Sequence, residues 1–119
     1  MDVVMYQMLY QIWRNKPGEQ VARTIVMTSA LLFLCEEDLT SENVRLTALD
    51  SSTFKDISKV YAESSDPLCI TLVFKPSSVM GITYRKWRLK APDSLSAAKL
   101  LSELVKAKGE GARDRERYR

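Results

Sequence analysis

The sequence predicts a mainly β domain with helices: an antiparallel β-barrel or sandwich of short strands, capped by a C-terminal α-helix and preceded by an N-terminal helix. Three observations carry this. Between Val21 and Ala91, short apolar and β-branched runs alternate with clusters of turn residues. Leu68, Ile70, Leu72 and Phe74 recur at period two, the mark of a half-buried strand. Beyond Pro92, the residues Leu95, Ala98, Leu101, Leu104 and Val105 recur at helical spacing.

At the N-terminus, Met5, Met8, Leu9, Ile12 and Trp13 lie at i, i+3, i+4, i+7 and i+8, which predicts an amphipathic helix with Asp2 as its N-cap. Val and Tyr favour strands, so a first strand of the sheet is the alternative. Asn15-Lys16-Pro17-Gly18 reads as the loop that ends this segment, residues 1–18. Val21–Thr28 and Ala30–Cys35 read as a hairpin, and Glu36–Asn43 as an acidic, polar loop. Arg45–Leu49 and Ile57–Ala62 are the next strands, with Asp50-Ser51-Ser52-Thr53 as their turn and Glu63–Pro67 as a break. Leu68–Lys75 pairs with Ile82–Ala91 across a Pro76–Gly81 loop. In that last strand Trp87, Leu89 and Ala91 share an apolar face, and Lys86, Arg88 and Lys90 share a basic one. The closing helix runs from about Ser94 to Lys108, where Gly109 supplies a stop and completes a domain over residues 19–108. Residues 109–119 read as a disordered charged tail, or as the start of whatever follows in a longer chain.

The residues also carry a family resemblance. Arg23-Thr24-Ile25-Val26-Met27-Thr28 followed by Ala30-Leu31-Leu32-Phe33-Leu34 resembles the first hairpin of pleckstrin-homology (PH) domains. Phe54-Lys55-Asp56-Ile57-Ser58-Lys59-Val60 is similar to their strand-entry segment, and Tyr84–Asp93 with the following helix is similar to their last strand and closing helix. The match covers residues 21–108 and implies a diverged PH-like barrel capped by its C-terminal helix. Most PH domains place a Trp on the closing helix; Lys99–Val105 has none, and Trp87 on the preceding strand is the residue available for that space.

Composition narrows the chemistry. With no histidine among 119 residues, Ser-His-Asp triads, Cys-His dyads and His-ligated zinc are excluded, and no candidate nucleophile–base pair stands out. No cofactor and no metal site is expected. Cys35 and Cys69 sit inside apolar runs and read as small core hydrophobes. Asp50, Asp56 and Asp66 stand in turn signatures, where Asp bonds local backbone. Residues 1–105 carry twelve basic and twelve acidic side chains, and the net charge of +3 comes from the tail, which gives little basis for nucleic-acid binding. No secretory signal is visible and no apolar stretch approaches the ~20 residues that span a bilayer, so a soluble, cytoplasmic chain is expected, with a membrane-peripheral one as the alternative.

The expected function is a non-catalytic adaptor module, monomeric, in a larger signalling or scaffold protein, binding a protein partner; the alternative is a targeting domain for anionic phospholipid or phosphoinositide head groups. Arg85, Lys86, Arg88 and Lys90 form the densest cationic set, suited to an acidic partner or anionic membrane, or else to a solvated face whose lysines discourage edge pairing. The resemblance implies a second set near the first hairpin, Arg14, Lys16 and Arg23, interrupted by Glu19. Met8, Ile12 and Trp13 form a third set, either core or a surface presented to a protein partner.

Overall fold

The computed structural model describes residues 3–38, 45–76 and 85–117, with side chains through Gly109. Asp2 as a cap, the end of the acidic loop, most of the Pro76–Gly81 loop, residues 82–84 of the last predicted strand and the final two residues lie outside the described residues. Seven strands, β1 (Val3–Trp13), β2 (Lys16–Thr28), β3 (Leu31–Asp38), β4 (Arg45–Thr53), β5 (Ile57–Ala62), β6 (Cys69–Phe74) and β7 (Lys86–Lys90), precede one helix, α1 (Ser94–Arg117). All strand pairs are antiparallel in the order β4-β3-β2-β1-β7-β6-β5, so β1 joins the β1–β4 meander to the β5–β7 meander.

The N-terminal segment is therefore a strand and not the predicted helix. Met5 and Leu9, both buried, are four residues apart, a spacing that suits both a helical stripe and one face of a strand. The rest of the segment decides it: Val3, Val4, Tyr6, Tyr10 and Ile12 are strand formers, and β1 pairs with β2 from Val3 to Trp13. The reversal is tighter than the predicted loop. Trp13 pairs with Lys16 across Arg14-Asn15, and β2 then bulges over Pro17–Gln20 opposite Ile12, where Gly18 adopts φ 85°. A side chain is strained at that φ, which accounts for glycine there.

Three further boundaries move. Glu36–Asp38 continue β3 instead of opening a loop, and the predicted turn Asp50–Thr53 is the end of β4, with the chain reversing one step later in a 3-10 turn at Phe54–Asp56. α1 runs through Gly109 and Gly111 to Arg117, across the segment expected to be a disordered tail; each glycine weakens a helix by only about 1 kcal/mol and need not end it. The buried stripe of α1 is Ala97, Leu100, Leu104 and Ala107, while Leu95 and Val105 are exposed. The small alanines bring the helix axis close to the sheet, where it packs on β5, β6 and the 3-10 turn. Asp93 caps it by accepting the Ser96 N–H at 2.7 Å.

The core unites Met5 and Leu9 with Ile25, Met27, Leu32, Leu34, Leu72, Phe74, Leu89, Leu100 and Leu104. Trp87 belongs to the same cluster, edge-to-face on Phe74 with centroids 4.7 Å apart. Both cysteines are buried free thiols. Burial pushes the Cys69 thiol up to about 11 and raises that of Cys35, so neither is a nucleophile at neutral pH.

Candidate functional site

The β1–β2 hairpin, the β5–β6 connection and β7 meet around a cavity of about 300 Å³. The hairpin contributes Trp13, Arg14, Lys16 and Gly18; the connection contributes Asp66; β7 contributes Arg88 and Lys90. The sheet register explains the convergence. Ile12 pairs with Arg88 and Tyr10 with Lys90, so the outward residues of β7 emerge beside the hairpin. The backbone bulge at Pro17–Gln20 opens the space between them.

The four cations differ in how firmly they are held. Arg88 donates from Nε and Nη2 to the two carboxylate oxygens of Glu63 at 2.7 and 2.8 Å, and Glu63 also accepts from Thr71 Oγ1 at 2.8 Å. The Arg88 hydrogen bonds hold the Glu63 carboxyl down at about 2, and the same pairing raises the Arg88 pKa. Lys90 Nζ lies 3.1 Å from Asp66 Oδ2, and this contact lowers the Asp66 pKa. Lys16 is looser, 3.9 Å from Glu19 and 5.8 Å above the Trp13 ring. Arg14 is exposed at the turn, and no ion pair engages it among the described residues. Against Glu19, Asp66 and Glu63, the four cations leave a surplus of one positive charge. Among the described residues Arg14 is in no ion pair, Lys16 sits in an exposed pair, Lys90 in a half-buried one, and Arg88 is clamped by both oxygens of Glu63.

The predicted sets are thus redistributed. Arg88 and Lys90 join Arg14 and Lys16 at one cavity, whereas Arg85 and Arg23 do not. Arg85, at the other end of β7, donates to Asp50 Oδ1 at 2.7 Å and to the Ser51 carbonyl at 3.1 Å, and stacks 4.4 Å over the Phe74 ring. Asp50 also accepts the Trp87 Nε1–H at 2.8 Å, so it ties β4 to β7 across the barrel in addition to its local bond to the Ser51 N–H. Asp66 keeps the local turn role read from sequence, accepting the Leu68 N–H at 3.0 Å, and adds Lys90. Arg23 donates to Gln11 Oε1 and to the Ala22 carbonyl, away from the cavity. Lys86 is exposed. Of the apolar set, Ile12 and Trp13 line the cavity, while Met8 projects from the outer face of β1.

Apart from Met8, that outer face was missed by sequence reasoning. The register aligns Tyr6 with Val26 and Phe33, and Met8 with Thr24 and Cys35, so one side of β1–β3 is apolar across three strands. Glu37 lies half-buried on it, accepting from Tyr6 Oη at 2.6 Å and Thr24 Oγ1 at 3.1 Å; the first bond raises the Tyr6 pKa. A both-sided apolar alternation from Val4 to Tyr10 was the available signal. No helix of the described residues is long and apolar enough to cross a membrane.

No family model and no curated protein sequence matches this chain. Solved structures do. The DH/PH fragment of PDZ-RhoGEF in complex with human RhoA superposes with a TM-score of 0.71 at 13% identity, over 92% of this chain and 29% of that one. An N-terminally truncated linker-DH/PH fragment of p115-RhoGEF gives 0.67 at 14% identity over 92% of this chain, again 29% of its own length. The Slm1 PH domain gives 0.64 at 11% identity, covering 91% of this chain and 99% of that one. This chain thus spans under a third of the exchange-factor fragments and nearly all of an isolated PH domain. The PH-like fold expected from the sequence is observed, with a strand in place of the expected N-terminal helix.

Proposed function

Taking that PH-like barrel as the premise, we propose that the chain is a non-catalytic binding module of a larger cytoplasmic signalling or scaffold protein. It recognises a phosphate-bearing anionic head group at the membrane surface. One observation carries this reading: Arg14, Lys16, Arg88 and Lys90, from opposite ends of the chain, gather at one cavity with a cationic surplus. Charge-assisted bonds to phosphate need such convergence. The Slm1 PH domain, described with ligand bound outside the standard site, supports the idea that this barrel takes ligands at more than one place. Vesicle sedimentation tests it. Phosphatidylcholine vesicles doped with phosphatidylinositol bisphosphate should retain the chain, and Arg14→Glu with Lys16→Glu should weaken retention about tenfold or more, at roughly 1 kcal/mol per cation near the surface. A charge reversal away from the cavity, Lys59→Glu on β5, should leave retention unchanged. Equal retention by plain phosphatidylcholine would refute the reading.

A second reading, a protein partner, is favoured by the apolar outer face of β1–β3. PDZ-RhoGEF and RhoA form such a protein complex on a chain that includes this fold.

A further inference from the structure

The outer surface of β1–β3 is unusual for a sheet facing water. Val4, Tyr6, Met8 and Tyr10 are 54%, 48%, 53% and 41% exposed, and Val26 and Phe33 continue the surface on the neighbouring strands. Scattered exposed hydrophobics are normal, but a contiguous row of large ones marks a contact surface. Its dimensions are those of one helix. From Val4 to Tyr10 the strand advances roughly 20 Å, which about 13 residues of α-helix also cover. Three strands at about 4.8 Å spacing give roughly the 10 Å width of a helix.

Charge selects among the occupants. Among the described residues of these outward rows, Glu37 is the one charged side chain, and it already accepts two hydrogen bonds from neutral hydroxyls, which leaves its negative charge uncompensated. Glu36 and Asp38, on either side of it in β3, alternate to the opposite face, so Glu37 alone sets the sign of charge at this end of the outer face. A symmetric pairing of two copies through this face would press two Glu37 carboxylates into one desolvated interface, which is costly. An anionic bilayer is drawn instead to the neighbouring cations Arg88 and Lys90 of β7, which pair opposite Ile12 and Tyr10.

We propose that the outer face of β1–β3 docks an amphipathic α-helix of three to four turns from a partner protein, with an apolar i, i+3/i+4, i+7 stripe laid along Val4–Tyr10 and a Lys or Arg placed against Glu37. This rests on the protein-partner reading and not on the cavity, so loss of vesicle binding in the Arg14→Glu, Lys16→Glu variant leaves it untouched. Such helix-in-groove recognition takes its affinity from apolar anchors and its register from the charge pair.

A display library of helix-stabilised 14-residue peptides, panned on the full chain, tests it. The expected winners carry an apolar stripe with a Lys or Arg beside it. Each should lose at least tenfold in affinity on Met8→Glu, with the melting temperature retained because Met8 is half exposed. Panning on Glu37→Lys should switch the winners to Asp or Glu at the charged position. The absence of winners, winners lacking the cation, or affinity indifferent to Met8→Glu would each overturn the proposal. So would concentration-dependent dimerisation, or binding to phosphatidylserine vesicles, that Met8→Glu abolishes.

Discussion

β1 and β7 are neighbours in the sheet, and they treat their outer faces in opposite ways. Both turn apolar residues inward, Met5 and Leu9 from β1, Trp87 and Leu89 from β7. Outward, β7 presents Lys86, Arg88 and Lys90, and the last two are met by Glu63 and Asp66 from the adjoining chain. These pairs hold those two outward cations of β7 in place. Outward, β1 presents Val4, Tyr6, Met8 and Tyr10, which remain exposed among the described residues. One strand meets its outward residues with counter-charges; its neighbour leaves apolar area exposed. The comparison teaches that burial along a strand is decided by what lies across from it, since the two faces of β1 are similarly hydrophobic.

The strongest way to break this comparison is from inside. Leu9→Ala empties a buried site on β1 and should cost ~2–5 kcal/mol, read as a lowered urea midpoint. An unchanged midpoint would mean that the inner face of β1 is not core.

Acid tests the β7 side. The Glu63 carboxyl is held at about 2 in the fold against an ordinary 4.5, so the folded state binds this proton less readily than the unfolded chain. Its contribution is therefore full above about pH 5 and is lost as pH falls towards 2. Glu63 and Arg88 side chains are only 17% and 23% exposed, so solvent screens the pair in part, and the loss should be on the order of 2–3 kcal/mol. Urea midpoints of the parent chain should fall across this window, and Glu63→Gln should flatten the fall. An equally steep decline in Glu63→Gln would assign it to other carboxylates.

The smallest effect sharpens the contrast most. Met8→Ala, one residue from Leu9, should change stability by no more than about 0.5 kcal/mol, because its side chain contacts mainly water in the isolated chain. A loss comparable to that of Leu9→Ala would show that the outer face is packed after all.

The same contrast explains what was legible. β7 and β6 were readable because their alternation is one-sided or continuous and runs unbroken at period two. β1 was not, because residues apolar on both faces erase the alternation and leave a four-residue spacing that a helix also satisfies. Of the site, the cationic types and the Arg14–Lys16 and Arg88–Lys90 pairs were visible as residues, but not their meeting. Nothing local to Arg85 distinguishes it from Arg88; only Asp50 on one side and Glu63 on the other separate a barrel tie from a cavity wall.

By itself the sequence determined the class of the fold, the strands whose pleat has one wet face, the closing helix, and the burial of both cysteines, because each follows from local periodicity or side-chain chemistry. Tertiary structure alone decided that Val3–Trp13 is a strand, that Ala97, Leu100, Leu104 and Ala107 form the buried stripe of α1, that the chain reverses at Arg14-Asn15, and that cations from the first hairpin and the last strand share one cavity. These depend on which groups from remote segments are brought into register. Pairing Ile12 with Arg88 is a contact whose free energy exists only once the barrel has closed.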